Sequence, residues 1–286
     1  MEKRRLGKTD YNIAPVVFGG IINTDETQRD ADDYVAYAVD RGVNYFDVAP
    51  TYGNAEERLG PALKPYRKDV FLACKTVERG AEASKKELLA SLKLLGTDYF
   101  DVYQLHSIRT QDDVDEAFGK DGAMETMVWA KREGLVRKAG ITAHSEIHAL
   151  RCLELYDFDS VLFTLNWALS MINDYGGRLA ATVKAGDVGF LCMKVLAHRM
   201  WFDNEEKTYR KAWYKPVDIG SDLALAAMKH ALSKGADALV PPGDFGAFRY
   251  MLDHIDEAIA NPLSESDIEL LRIETDKIIG NELKVI

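Results

Sequence analysis

Eight short runs of β-branched and aromatic residues recur along this chain, each followed by a longer stretch with apolar residues at helical spacing. The runs are PVVFG (15–19), VNYFDV (43–48), VFLACK (70–75), FDVYQLH (100–106), VRKAGIT (136–142), SVLFTL (160–165), VGFLCMK (188–194) and ADALVP (236–241). Several are apolar nearly throughout, as strands covered on both faces must be. Between them, 29–42 ends on Gly42, a C-terminal stop, and 84–96 opens on Ser84 with Glu87 three residues on and closes on Gly96. The latter spacing predicts a capping box. Further helices are expected near 55–64, 123–133, 146–156, 175–186, 220–234 and 245–259, and a last one over 264–280 follows the eighth unit. Eight strand–helix units in series predict an α/β fold: a parallel (β/α)8 TIM barrel with an extra C-terminal helix, spanning 1–286 as a single domain. An open doubly wound sheet is the rival, and the count of eight favours the barrel. The residues KRRLGKTDYNIA before the first strand read as a hairpin that plugs the barrel bottom.

Length and charge narrow the partners. A chain of 286 residues that is 47% hydrophobic and 29% charged holds a sizeable core. Its net charge of −10 repels nucleic acid and anionic lipid, so neither is expected as a partner. Cys74, Cys152 and Cys192 are widely spaced and form no CxxC pair, so neither a disulfide framework nor a zinc site is expected. The basic start MEKRRLGKTDY lacks a following apolar run, and no stretch approaches membrane-spanning length, so a soluble cytoplasmic protein without metal is expected. The chain ends soon after its last helix, at NELKVI, which predicts a relatively open pocket without a long C-terminal flap.

Active sites of such barrels lie at the C-terminal strand ends and the loops beyond them. Asp47 ends the second run, Lys75 the third and His106 the fourth, and Tyr52 follows five residues after Asp47. Each alone has an ordinary structural use, but together they meet on one rim. Carbonyl reduction needs a hydride on carbon and a proton on oxygen. A free tyrosine, with a pKa near ~10, is poorly matched to that task, and a neighbouring ammonium would lower it. Asp47 would hold and balance Lys75, His106 would hydrogen-bond the substrate oxygen, and Tyr52 would donate the proton.

The segments NYFDVAPTYGNAEERLG, FLACKT, DVYQLH and AGITAHS closely resemble motifs of the aldo-keto reductases, and the similarity runs from RRLGKTD to the LVPPGD region. The resemblance implies that Tyr52 is the general acid/base, supported by Asp47, Lys75 and His106. It also implies hydride transfer from NADPH or NADH to a small-molecule aldehyde or ketone, reversibly. Neither GxGxxG nor GxxxxGK[ST] occurs, so the cofactor phosphates are expected near the last two strands, where ALVPPGDFGAFRYM offers Gly243 and Arg249. Asp244 stands where many NADPH-preferring members offer a neutral or basic group. It is read either as a helix N-cap or as a carboxylate that disfavours a 2′-phosphate and shifts preference toward NADH. Leu162 replaces a Gln and Met193, followed by Lys194, replaces a Tyr of relatives, while Thr142 and Asn166 remain polar and are assigned to the carboxamide. Met193 is read as a surface for the ring or as barrel core. Gly19 and Lys194 are also assigned to the cofactor.

Two other classes are open at this stage. One is a cofactor-binding sensor or regulatory subunit with little turnover. The other is a metal-dependent hydrolase using Asp47, His106 and His144, which no HxH or HExxH spacing supports. The aromatic-rich connection 196–219 either packs on the outer helices or covers the substrate. Substrate identity and oligomeric state are not legible.

Overall fold

The computed structural model describes residues 1–285. Its eight barrel strands are β3 (Phe18–Gly19), β4 (Tyr45–Asp47), β5 (Phe71–Thr76), β6 (Phe100–Ile108), β7 (Val136–Ala143), β8 (Ser160–Thr164), β9 (Gly189–Met193) and β12 (Ala238–Val240). Every neighbouring pair from β3 to β9, and β9 with β12, is parallel. A parallel bridge from Val16 to Leu239, with Val17 N–H donating to the Leu239 carbonyl at 2.9 Å, closes the ring. The rival open sheet is thereby replaced by a (β/α)8 barrel.

Strand alternation builds two cores. Phe46, Leu72, Cys74, Tyr103, Leu105, Ile141 and Phe163 face outward into a continuous layer under the helices. Tyr45, Ala73, Val102, Leu162, Leu191 and Ala238 face inward. Burial of an aliphatic side chain in either layer contributes about 1.5–3 kcal/mol. The hairpin β1 (Arg4–Arg5) and β2 (Asn12–Ile13) closes the lower end, as expected: Leu6, Tyr11 and Ile13 join the inward cluster. Gly7, in the left-handed region at φ +47°, lies so close to the Gly189 backbone that a Cβ would overlap it.

The outer helices are α1 (Gln28–Asp40), α2 (Ala55–Leu63), α3 (Ala81–Leu95), α4 (Gln111–Phe118), α5 (Ala123–Arg132), α6 (Glu146–Leu155), α7 (Trp167–Asn173), α8 (Gly177–Ala185), α9 (Asp222–Ser233), α10 (Phe245–Ala260) and the C-terminal α11 (Glu265–Ile278). The expected capping box at Ser84 is not formed. α3 starts three residues earlier, after Gly80, and Glu87 instead accepts from the Thr76 hydroxyl and the Val77 N–H, tying α3 to the end of β5. Capping boxes form at Thr110/Asp113 and Ser264/Asp267, where Asp fills the third position. Short helices α4 and α7 were not expected.

The long connection after β9 folds as an antiparallel hairpin, β10 (Ala197–Met200) with β11 (Tyr214–Pro216). Glu205 accepts from both Arg199 and Lys215 at its base. Beyond α11 the chain does not lie free: Asn281 bonds Met200, and Leu283 is buried with Ala197, Ala212 and Tyr214 against this hairpin.

Candidate active site

The period of two along each strand explains what lines the upper end of the barrel. Inward positions run Tyr45 then Asp47, Phe71 and Ala73 then Lys75, and Val102 then Gln104 and His106. Each strand thus changes from apolar to polar as it rises. Lys75 is fully buried and donates to Asp47 Oδ2 at 2.5 Å, to the Val48 carbonyl at 3.0 Å and to the Tyr52 hydroxyl at 3.3 Å. Gln104 Nε2 donates to the other Asp47 oxygen at 2.9 Å. Tyr52 is half-buried in the loop before α2, where Thr24 Oγ1 bonds its carbonyl at 2.9 Å. Its ring meets His106 edge-on, with centroids 6.0 Å apart.

His106 sits where β6 departs from regular register. Ser107 takes φ +60°, its N–H donates to Thr142 Oγ1 at 2.7 Å, and Arg79 donates to the His106 carbonyl at 2.7 Å. The buried His106 Nδ1 has no partner among the described residues. All four members of the expected quartet therefore converge.

Their electrostatics differ from expectation in one respect. Burial opposes the Lys75 ammonium, but Asp47 and the other groups around it outweigh this and hold Lys75 above the ordinary lysine range. Burial also raises the Tyr52 phenol, and Lys75 offsets only part of that, so Tyr52 stands above its ordinary value instead of below it. Burial is the larger cause, and the Asp47 charge adds to it by countering Lys75. Burial, then the Lys75 charge, push His106 well below its ordinary value, so it is neutral at physiological pH.

The residues assigned to the cofactor spread over the same rim and the neighbouring β12–α10 turn. Gly19 lies beside Val240, and its Cβ position has room. Thr142 is buried, and its oxygen already accepts from Ser107. Asn166 is fully committed elsewhere: its oxygen caps α7 at Ala168 and Leu169, and its nitrogen donates to the Lys194 and Ala197 carbonyls. It is a structural cap with no atom left for a carboxamide. Leu162 is barrel interior, and Met193 is partly exposed above it.

Lys194 is buried at φ +62° with its Nζ 3.1 Å from His144 Nδ1. Asp244 is the N-cap of α10, accepting from Ala247 N at 2.8 Å. Gly243 supports Lys211 of the hairpin, whose Nζ bonds the Ile22 carbonyl and Glu26. Arg249, on α10, lies over the ring of Tyr37 on α1. A cavity of about 240 Å³ opens at this turn, lined by Glu26, Tyr34, Arg210, Lys211, Gly243 and Asp244 among others. Gln104 was missed by the sequence reading. Its signal was a polar residue at an inward position of an otherwise apolar strand.

The chain is thus a closed (β/α)8 barrel whose rim joins a phenol to a buried Lys–Asp pair and an imidazole. The chain belongs to the aldo/keto reductase family, whose description matches residues 15–235. It is 33% identical over 157 residues to the uncharacterized oxidoreductase YqkF of Bacillus subtilis, covering 50% of this chain and 49% of that one. It is 32% identical over 158 residues to an aldo-keto reductase of Mycobacterium ulcerans, covering 52% of each. These matches span about half the length of the curated relatives. Among solved structures, the holo form of aldo-keto reductase AKR11C1 from Bacillus halodurans superposes with a TM-score of 0.73 at 21% identity, covering 96% of both chains. An aldo/keto reductase from Brucella melitensis superposes with a TM-score of 0.67 at 18% identity, covering 96% of this chain and all of that one. At these identities the superpositions speak to the fold alone.

Proposed function

We propose that this protein is an NAD(P)H-dependent reductase of an aldehyde or ketone, with Tyr52 as the proton donor. The observation that carries the reading is the Tyr52 hydroxyl 3.3 Å from a buried ammonium that Asp47 holds in place. A phenol above its ordinary value is protonated at neutral pH, which is the state needed to donate a proton to a carbonyl oxygen. The phenolate left behind gains a charge-assisted bond from Lys75. His106, neutral and edge-on to Tyr52, keeps a hydrogen bond available to the same oxygen without competing as an acid.

The bound nicotinamide supplies the hydride. The cavity at the β12–α10 turn fits the anionic end of such a cofactor, because a helix N-terminus and Arg210 border it. Gly243 and Arg249 are proposed to hold that end, with Asp244 on the cavity wall as the group that discriminates against a 2′-phosphate, and with Thr142, Met193 and Gly19 nearer the reacting ring. Either NADP(H) or NAD(H) is compatible with these residues.

The test is a panel of small carbonyl compounds with each cofactor, comparing the parent with Tyr52→Phe. Removing the acid should cost about 10²–10⁴-fold in kcat. Undiminished reduction by Tyr52→Phe overturns the reading.

A further inference from the structure

One buried cation at the rim is left over by this mechanism. Lys194 is 6% exposed, at the end of β9 on the far side of the barrel from Lys75. Lys75 has Asp47. Among the described residues, Lys194 has no carboxylate within ion-pair distance, and neither does Arg109. The Lys194 ammonium faces His144 Nδ1 at 3.1 Å, and that nitrogen also lies 2.9 Å from Thr164 Oγ1. Trp213, 46% exposed on the hairpin, covers it with the ring centroid 4.5 Å from Nζ. Arg109, exposed on the loop after β6, is close enough to disfavour the charged forms of Lys194, His144 and His106 alike. A buried ammonium without a counter-ion is costly, and a perturbed basic group at the mouth of a barrel is a candidate binding group.

We propose that Lys194, with Arg109 at the mouth, forms an anion subsite across the rim from Lys75, and that the carbonyl compound reduced here carries a carboxylate or phosphate bound there. The proposal rests on the reductase reading given above. His144 supports the subsite in its neutral form, since burial and then Lys194 push it down to about 3 and leave Nδ1 to accept from the ammonium. Burial lowers Lys194 itself to about 7, so an arriving anion would restore its proton at neutral pH. Trp213 provides an apolar cover that strengthens the charge interaction by excluding water. The cofactor's phosphates are proposed at the α10 N-terminus, which leaves the substrate as the anion source proposed for Lys194.

The experiment compares kcat/KM for paired substrates with and without an anionic group: 4-oxobutanoate against butanal, and glyceraldehyde 3-phosphate against glyceraldehyde. The parent protein should favour the anionic member of each pair by tenfold or more. Losing a charge-assisted bond in Lys194→Met should lower the anionic-to-neutral ratio about 10- to 100-fold. Lys194→Arg should retain most of the ratio, and Arg109→Gln should lower it less than Lys194→Met.

NADPH affinity is measured in parallel by quenching of protein fluorescence. A ratio unchanged in Lys194→Met overturns the proposal. So does an unchanged ratio with weakened NADPH binding, which assigns the cation to the cofactor instead. Tyr52-dependent reduction of butanal with no preference for 4-oxobutanoate removes the subsite and leaves the reductase reading standing. Absence of turnover with both members removes both.

Discussion

Replacing Asp47 by Asn tests whether the centre of the site is held by charge or by shape. The substitution keeps the volume and one oxygen but removes the charge that neutralises Lys75. Both Asp47 oxygens receive protons, one from Lys75 at 2.5 Å and one from Gln104 at 2.9 Å. An amide answers only one of these donors and turns its own N–H groups toward the other. Lys75 would keep the Val48 carbonyl and the Tyr52 hydroxyl but would be a fully buried, uncompensated cation. Breaking a buried pair in this way costs about 3–5 kcal/mol. At about 2.1 cal/mol/K of unfolding entropy per residue, a chain of 286 residues converts that to a fall in Tm of about 5–8 °C.

The loss should depend on pH. Without Asp47, burial governs Lys75 and draws its folded pKa below the unfolded value. Between those two values the unfolded state binds more protons, so the variant's stability rises with pH and approaches the parent's in the alkaline range. Thermal unfolding followed by circular dichroism at pH 6.5 and pH 9.5 reads both effects. The double variant Asp47→Asn/Lys75→Met should recover most of the deficit, since no buried charge remains. A Tm within about 1 °C of the parent at pH 6.5, or a double variant worse than the single one, would refute the reasoning.

Two other predictions follow from the same geometry. With a neutral aldehyde, kcat for reduction should be flat from pH 6 to 9 and fall only above the ordinary tyrosine value of ~10, because Tyr52 is raised and His106 stays neutral throughout; a limb near pH 7 in the chemical step would contradict both assignments. Asp244→Ser keeps a good N-cap for α10, so the Tm should move by less than about 2 °C, while the NADPH-to-NADH ratio of kcat/KM should rise several-fold as a carboxylate leaves the cavity; an unchanged ratio makes Asp244 a cap and nothing more.

The barrel was legible because its strands are covered on both faces, so each reads as an apolar run bounded by turns. The convergence of the quartet was legible because three of its members stand high on the adjacent strands β4, β5 and β6 and the fourth follows in the next loop. Other features depend on partners distant in sequence. Asn166 reads as a free polar group, yet its four bonds go to Ala168, Leu169, Lys194 and Ala197, two of them reaching residues about 30 positions away. Ser84 and Glu87 have the spacing of a capping box, but Thr76 and Val77 claim the Glu87 carboxylate, so α3 begins at Ala81. The shape of 196–219 is set by Glu205 clamping both arms and by Lys211 reaching Ile22 and Glu26, contacts that local periodicity does not encode.

The distribution of charge at the rim ties these observations together. The chain as a whole carries 46 acids against 36 bases, so an anionic ligand approaching at random meets a repulsive surface. Four basic side chains lie along the β5–β9 arc of the rim. Lys75, Arg79, Arg109 and Lys194 gather there, and the acids that face them are committed: Asp47 to Lys75 and Gln104, Asp113 to Arg79 and the α4 capping box. The two histidines among these basic groups are held neutral, which limits the cost of the cluster, and Lys194 and Arg109 are left without a carboxylate partner among the described residues. Cations gathered at one opening focus the field there, raising the local concentration of anions where Tyr52 is proposed to donate its proton. In the proposed reduction the same field stabilises the negative charge that develops on the carbonyl oxygen, so anion capture and proton transfer draw on one set of cations.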